Sequence, residues 1–454
     1  MITVVEPQQH IAKLWSEPTL KEGTLYRLMH YVLRVEDGCT VLLHNVVTGH
    51  LVALEQQEAE TLGRLPAMYC PAMEPLIQSH FVVPADYDEH AQTIKLQTVL
   101  RMLAKAQQKP DITHYTILPT TACNARCYYC FQQGLKQTTM SDEIIRQVTD
   151  FIDAHCGNDR KIRISWFGGE PTVAARQIST ICEELQKKNI MYRSSMTTNG
   201  YLFDQKMTET AVDLWKLKYV MISVDGTEKN YNSIKRFQNA KDNPYQRVMG
   251  NVERLLKHGI RVSMRMNFDL NNYLDFFDLL DDVSERFHGS PLFFFHVHQV
   301  NGEHEDSFGK KEHGKNEWFQ DKLLEYQELV HEKGLYPLNE ELPELNFKGC
   351  QASNDHSVTI NPQGGISRCP ELVNDEDLIG NVRKGITNPA LVSAWSKLSD
   401  FESCVECPLF PNCMKLHLCP ASHRCVAKKE SLTRFQNAMK KQYRSFSRSI
   451  QKGG

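Results

Sequence analysis

Between residues 114 and 300, apolar, β-branched stretches alternate with amphipathic ones, and this alternation constrains the fold more than any other feature of the chain. The apolar stretches are 114–119, 162–167, 192–197, 219–224, 261–267 and 292–300, and 144–155, 174–188 and 245–258 carry helical spacing between them. Strands separated by helices pair in parallel, because each crossover returns the chain to the end of the sheet where it began. Six such units predict an α/β fold, a partial (β/α)6 TIM-like barrel with its chemistry at the strand C-terminal ends.

Just past the first of these strands the chain reads TTACNARCYYCF over 120–131. Cys123, Cys127 and Cys130 therefore stand in a Cys-x3-Cys-x2-Cys arrangement on one loop. Three soft thiolates suit an iron–sulfur cluster, each ligating one iron. A four-iron cubane would keep one iron for a ligand that is not protein. A structural zinc site prefers four ligands in two close pairs, and no fourth Cys or His lies nearby on this loop. Buried free thiols are the plainer alternative.

This spacing, with Tyr129 before the third cysteine, resembles the cluster motif of the radical SAM enzymes. Phe167-Gly168-Gly169-Glu170-Pro171 resembles that family's GGEP segment, Thr197-Thr198-Asn199-Gly200 its TNG segment and Ser223-Val224-Asp225-Gly226 its SxDG segment, in the family's order. The resemblance implies a [4Fe-4S] cluster on Cys123, Cys127 and Cys130. It also implies S-adenosyl-L-methionine (SAM) on the open iron, cleaved on reduction to a 5′-deoxyadenosyl radical. Cofactor contacts would come from Tyr129, from the bare backbone of Gly168 and Gly169, from Glu170 toward the ammonium, and from Asn199 and Ser223 toward ribose or carboxylate oxygens. The family often has an arginine ten residues past the Asp of SxDG; here Lys235 stands there with Arg236 beside it, and either is a candidate for the SAM carboxylate. His296 and His298 alternate on the sixth strand and share a face. They are candidates to touch substrate or take a proton, against a plainer reading as packing residues.

Over the first hundred residues, 26–36, 40–47 and 50–54 read as strands, with Asp37-Gly38 and Thr48-Gly49 as turns. Short helices over 56–65 and 73–79 lead into Phe81-Val82-Val83. The pattern resembles the winged-helix-like RiPP recognition element, which implies docking of a precursor peptide. A winged helix can also bind DNA, but residues 1–105 carry 12 acidic against 8 basic side chains, the wrong sign for that partner. An exposed strand edge suits an extended peptide instead. A purely structural cap is the alternative.

The chain has 14 cysteines. Cys39, Cys70, Cys156 and Cys182 read as ordinary thiols. Toward the C-terminus stand Cys350, Cys369 (five past Gly364), Cys404-x2-Cys407-x5-Cys413, Cys419 and Cys425. This field resembles the SPASM domain with its two auxiliary [4Fe-4S] clusters, three clusters in all. Five residues separate Cys413 from Cys419 where the family has three. The family's crossed connectivity would put Cys350, Cys369 and Cys419 on the first auxiliary cluster, and Cys404, Cys407, Cys413 and Cys425 on the second. The first would lack one protein ligand, a gap for His356 or for a substrate thiol. A zinc ribbon over 404–425 is the alternative.

The expected division is 1–105 for precursor recognition, 106–305 for the barrel, 306–345 as a bridge and 346–454 for the SPASM region with a C-terminal helix. No long apolar run and no signal segment are seen, and the net charge is −3. A cytoplasmic protein is expected, with neither nucleic acid nor membrane as partner. The resemblance implies a peptide-modifying enzyme fed electrons by a flavodoxin or ferredoxin, most simply closing a Cys thioether. Carbon–carbon crosslinking and sulfatase maturation (formylglycine formation) are its rivals, and a non-catalytic iron–sulfur or zinc protein is the reading from another class.

Overall fold

The computed structural model describes residues 3–5, 22–106, 111–132, 134, 136–240, 242–300, 313–336, 342–347, 350–396, 404–413 and 428–453. They fall into two compact units that are interleaved along the chain: residues 1–108, 339–350 and 396–454, and residues 109–338 and 351–395.

The first unit begins with β1 (Thr3–Val5), β2 (Leu25–Leu28), β3 (Val32–Asp37), β4 (Thr40–Asn45) and β5 (Leu51–Leu54). Next come α1 (Gln56–Gly63), β6 (Ala67–Met68), α2 (Glu74–Gln78), β7 (Val82–Pro84) and α3 (Glu89–Ala106). An antiparallel sheet runs β1-β5-β4-β3, and a smaller one runs β6-β2-β7. The single strand expected over 26–36 is thus two strands in two sheets. The chain breaks at Met29–Tyr31, where the Met29 amide donates to Phe81 O (2.9 Å) and the His30 amide to Glu89 (2.9 Å). Glu89 is buried and receives both Arg27 Nη atoms, at 2.8 and 2.6 Å.

Later residues complete this unit's core. Phe410 packs with Tyr26, Leu43, Val52 and Phe81, and Cys404, Cys407 and Cys413 pack against the same cluster. Tyr31 stacks on Phe410 at 5.7 Å and donates to Val405 O (3.1 Å). A C-terminal helix, Lys428–Gly453, lays Phe435 and Met439 on Leu33, Leu42 and Val46. Its Gln436 donates to Arg34 O on β3 (3.0 Å), and Arg444 grips Asp37 with two bonds.

The second unit begins with six strands: β8 (His114–Thr120), β9 (Lys161–Gly168), β10 (Met191–Thr198), β11 (Leu217–Ser223), β12 (Arg261–Phe268) and β13 (Phe293–Gln299). They pair in parallel in sequence order, as the alternation predicts. Every second residue, including Ile117, Trp166, Met196, Ile222, Met264 and Phe295, is buried in the core shared with the crossover helices. Side-chain caps mark helix starts: Ser141 accepts from Ile144 N, and Asp204 from Met207 N.

One pairing was not foreseen. β14 (Ser357–Ile360) pairs in parallel with β8, and short strands at 365–367, 380–381 and 385–386 continue the sheet to ten strands. Among the described residues no helix is long and apolar enough to cross a membrane.

Candidate active site

The cysteine loop leaves β8 at Thr120 and is tied down on several sides. Thr121 N donates to Thr138 O (2.9 Å), Arg126 N to Lys235 O (2.7 Å) and Gln238 N to Asn124 O (2.8 Å). Asn199 Nδ2 donates to Asn124 Oδ1 (2.7 Å), joining the loop to the end of β10. Cys123, Cys127 and Cys130 are partly buried free thiols. Burial pushes the Cys123 thiol up to about 11, with Glu170, Cys127 and Cys130 adding to the rise. Burial also raises Cys127, while the Lys235 ammonium pulls it back.

Among the described residues no three His, Cys, Asp or Glu side chains form a ready-made metal cage. The loop nonetheless presents a fitting donor set: three thiols within eight residues, whose deprotonation a bound cation would favour. Buried Asn124 Nδ2 beside them has no hydrogen-bond partner.

The two glycines lie against this loop. A Cβ on Gly168, whose φ is +125°, would stand 2.3 Å from Thr120 O, and one on Gly169 would stand 2.3 Å from Ala122 O. Only bare backbone lets the two strand ends approach this closely. Glu170 follows, fully buried. Its Oε1 accepts from Thr172 N (3.0 Å) and Thr198 Oγ1 (2.7 Å), and its Oε2 from Asn199 N (2.7 Å). Burial raises its pKa against those bonds. Here the carboxylate ties the ends of β9 and β10 together.

Lys235 lies at the end of α7 (Glu228–Lys235), numbering helices in chain order after α4 (Asp142–His155), α5 (Ala175–Lys187) and α6 (Gln205–Asp213). Its Nζ is 2.7 Å from Asp225 Oδ2 and donates to Ser223 Oγ (2.8 Å) and Tyr129 Oη (3.1 Å). Burial would lower this lysine, but Asp225, with Cys127 and Tyr231, carries it above its ordinary value. Tyr129 also donates to Asp225. Asn267 donates to Asp225 from its side chain (2.9 Å) and its amide (3.1 Å). Next to Tyr129, Tyr128 donates to buried Asp269. Arg236 takes a left-handed φ of +47°, is exposed, and turns back to Ser233 O (3.2 Å).

Asp225, Asn267, Asp269 and Tyr128 were absent from the sequence-derived site. The polar residues Asn267, Asp269, Asn271 and Asn272 at the end of an apolar strand were the available signal for two of them.

His296 and His298 share a face with Arg265 and Asn267, their register partners on β12. His296 Nδ1 lies 3.1 Å from Ser263 Oγ. Burial, reinforced by Arg265, lowers His296 to about 4, so the ring is neutral at neutral pH.

Of the later cysteines, Cys404, Cys407 and Cys413 lie on successive turns, with Cys407 N donating to Cys404 O (3.1 Å) and Cys413 N to Phe410 O (3.1 Å). Cys350 groups with the first unit and Cys369 with the second. Cys419 and Cys425 lie outside the described residues. His356 Nδ1 is 2.6 Å from Asp111 O, at the start of β8 and away from the cysteine loop.

Residues 117–283 match the family model of the Radical SAM superfamily. The chain is 28% identical over 166 residues to a GTP 3′,8-cyclase of Vibrio cholerae, covering 34% of this chain and 45% of that protein. It is 25% identical over 182 residues to an S-adenosylmethionine-dependent nucleotide dehydratase of Psychrobacter lutiphocae, covering 36% and 59%. The chain thus spans about half the length of these relatives. Among solved structures, anSMEcpe with bound AdoMet superposes with a TM-score of 0.53 at 17% identity, over 75% of this chain and 98% of that one. Its complex with AdoMet and the Cp18Cys peptide gives 0.54 at 16%, over 74% and 99%. These likenesses concern the fold. Together with the ordered motifs at the strand ends, the family match makes residues 117–283 a radical SAM domain.

Proposed function

We propose that this chain is a radical SAM enzyme that modifies a ribosomally made precursor peptide, joining a cysteine sulfur to a peptide carbon as a thioether. The observation that carries the peptide reading is the accompanying first unit. There an extended segment, Thr3–Val5, already pairs with the edge of β5, Val4 opposite Val52. That edge accepts an extended backbone, which is how β-augmentation binds peptides. The anSMEcpe structure holds a peptide together with AdoMet, and this reading carries the same substrate class to the present chain.

Cys123, Cys127 and Cys130 would hold the first [4Fe-4S] cluster. Bound cluster and SAM would supply one electron and a 5′-deoxyadenosyl radical. The Tyr129–Asp225–Lys235 network fixes the cysteine loop over the strand ends, and Glu170 locks the neighbouring loop. Asn199 and Ser223, at the ends of β10 and β11, would contact the bound SAM. The C–S bond forms as one C–H and one S–H bond break: a hydrogen atom leaves with the radical, a proton is released, and one electron passes to the auxiliary clusters proposed on the later cysteines.

Co-expression with a small peptide encoded nearby, followed by mass spectrometry, tests the function. Loss of two hydrogens per crosslink at a cysteine is expected, and it should vanish when Cys123, Cys127 and Cys130 are changed to Ala. An unmodified peptide with turnover of a nucleotide by the purified enzyme would replace this reading with the chemistry of the cyclase relatives.

A further inference from the structure

The inner face of the β8–β13 sheet carries arginines that no carboxylate neutralises among the described residues, although Arg261 lies over the Phe294 ring, 5.5 Å from its centroid. Ile162, Ile164 and Trp166 point into the helix-covered core, so Arg163 and Ser165 face the other way. The same alternation puts Arg193 on that face of β10, and Arg261 and Arg265 on that face of β12. In register, His114 lies opposite Arg163, Arg163 opposite Arg193, and Arg265 between Ser223 and His296.

Like charges directly opposite on neighbouring strands, roughly 4.8 Å apart, repel. None of these four arginines has an ion pair among the described residues. Arginines on the outer helices and loops do: Arg160 meets Asp153, Arg176 meets Asp142 and Arg286 meets Asp282. Along the inner-face positions of these strands no Asp or Glu occurs before Asp225, which Lys235 already engages. Arg163, Arg193 and Arg261 are exposed. Arg265 is half-buried, and its Nε is shut off from solvent without an acceptor. The floor between them is polar, with Ser165 Oγ 3.1 Å from Ser195 Oγ and 3.0 Å from His114 Nε2.

The spacing selects among anions. Following the register, Arg265 stands three side-chain rows above the Arg163–Arg193 pair, roughly 20 Å at ~3.3 Å per residue. A compact anion cannot meet both positions, whereas an extended chain with carboxylates along its length can.

We infer that the inner face of this sheet is a docking surface for an acidic, extended peptide segment, with Arg163, Arg193, Arg261 and Arg265 pairing its carboxylates. This rests on the peptide reading above and narrows it to substrates with Asp or Glu around the reacting cysteine. Surface charges of this kind govern encounter and specificity more than raw affinity, and salt screens them.

The test uses the full chain and two fluorescein-labelled octapeptides, alternating Gly-Glu and alternating Gly-Gln, read by fluorescence anisotropy. The Glu peptide should bind and the Gln peptide should not. Affinity for the Glu peptide should fall roughly tenfold in R163Q/R193Q and again in R265Q, and should weaken with added salt. R176Q, on an outer helix, should leave it unchanged. Equal binding of both peptides, or indifference to the arginine changes, would overturn the docking surface. Arginine-dependent binding of inorganic triphosphate without binding of the Glu peptide would overturn it too, and would point away from a peptide substrate altogether. Normal crosslinking of a precursor by R163Q/R193Q would discard the surface while leaving the peptide reading standing.

Discussion

Lys235 spends all three N–H donors inside the chain, on Asp225, Ser223 and Tyr129. The sequence places it where the family often carries an arginine, yet cannot show what surrounds it, because the partners come from the cysteine loop and from the end of β11. Replacing it with Met would strand the Asp225 carboxylate in the interior. Losing one partner of a buried ion pair costs about 3–5 kcal/mol. Urea unfolding followed through Trp166 and Trp215, both buried in this core, should show a loss of that size. Lys235→Arg should fall between, since a planar fork cannot send three donors from one atom to three separate acceptors. A second residue-scale outcome concerns His44, fully buried with Nε2 2.8 Å from Pro343 O. Burial lowers it to about 4. The unfolded chain therefore binds the proton more tightly, so stability is complete above pH ~6.5 and is lost as pH falls toward 4, by about 3 kcal/mol in all. Hydrogen exchange of the β3–β5 amides from pH 7 to 4.5 should report this, and His44→Gln should flatten the dependence. The cysteines and the GGEP, TNG and SxDG segments were legible because each is a short local pattern. The Tyr129–Asp225–Lys235–Asn267 network was not, because only the fold gathers it.

At the scale of elements, period-2 and period-3.6 patterns located the six parallel strands and their helices, since each buries one face against the same core. The break in 26–36 escaped that reasoning because large apolar side chains (Leu28, Met29, Tyr31) continue through it; the split is set by distant Phe81 and Glu89. The pairing of β14 with β8 was equally hidden, for a four-residue strand does not announce its neighbour. In the antiparallel sheet of the first unit both flanks are taken, β5 by β1 and β3 by contacts from the C-terminal helix. β1 offers only three residue pairs, so an incoming longer peptide would have to displace it. Deleting residues 1–5 should speed amide exchange in Leu51–Leu54 and tighten binding of the precursor. Slower exchange, or weaker binding, would mean that β1 itself forms part of the docking surface.

For the whole molecule, chain order and spatial grouping diverge. The first unit draws on three separated stretches and the second on two. The expected division into four consecutive parts followed composition and cysteine spacing, which carry no record of such interleaving. The arrangement bears on how the protein is made. When the ribosome has finished β13, β8 still lacks its outer neighbour, which begins only at Ser357. Leu33 and Leu42 wait longer, for Phe435 and Met439 some 400 residues further along the chain. Contacts so far apart in sequence form late, and apolar surface is bare until they do. No single cut would give two self-sufficient halves, and the nascent chain must keep an unfinished first unit out of trouble until Phe435 and Met439 have been made.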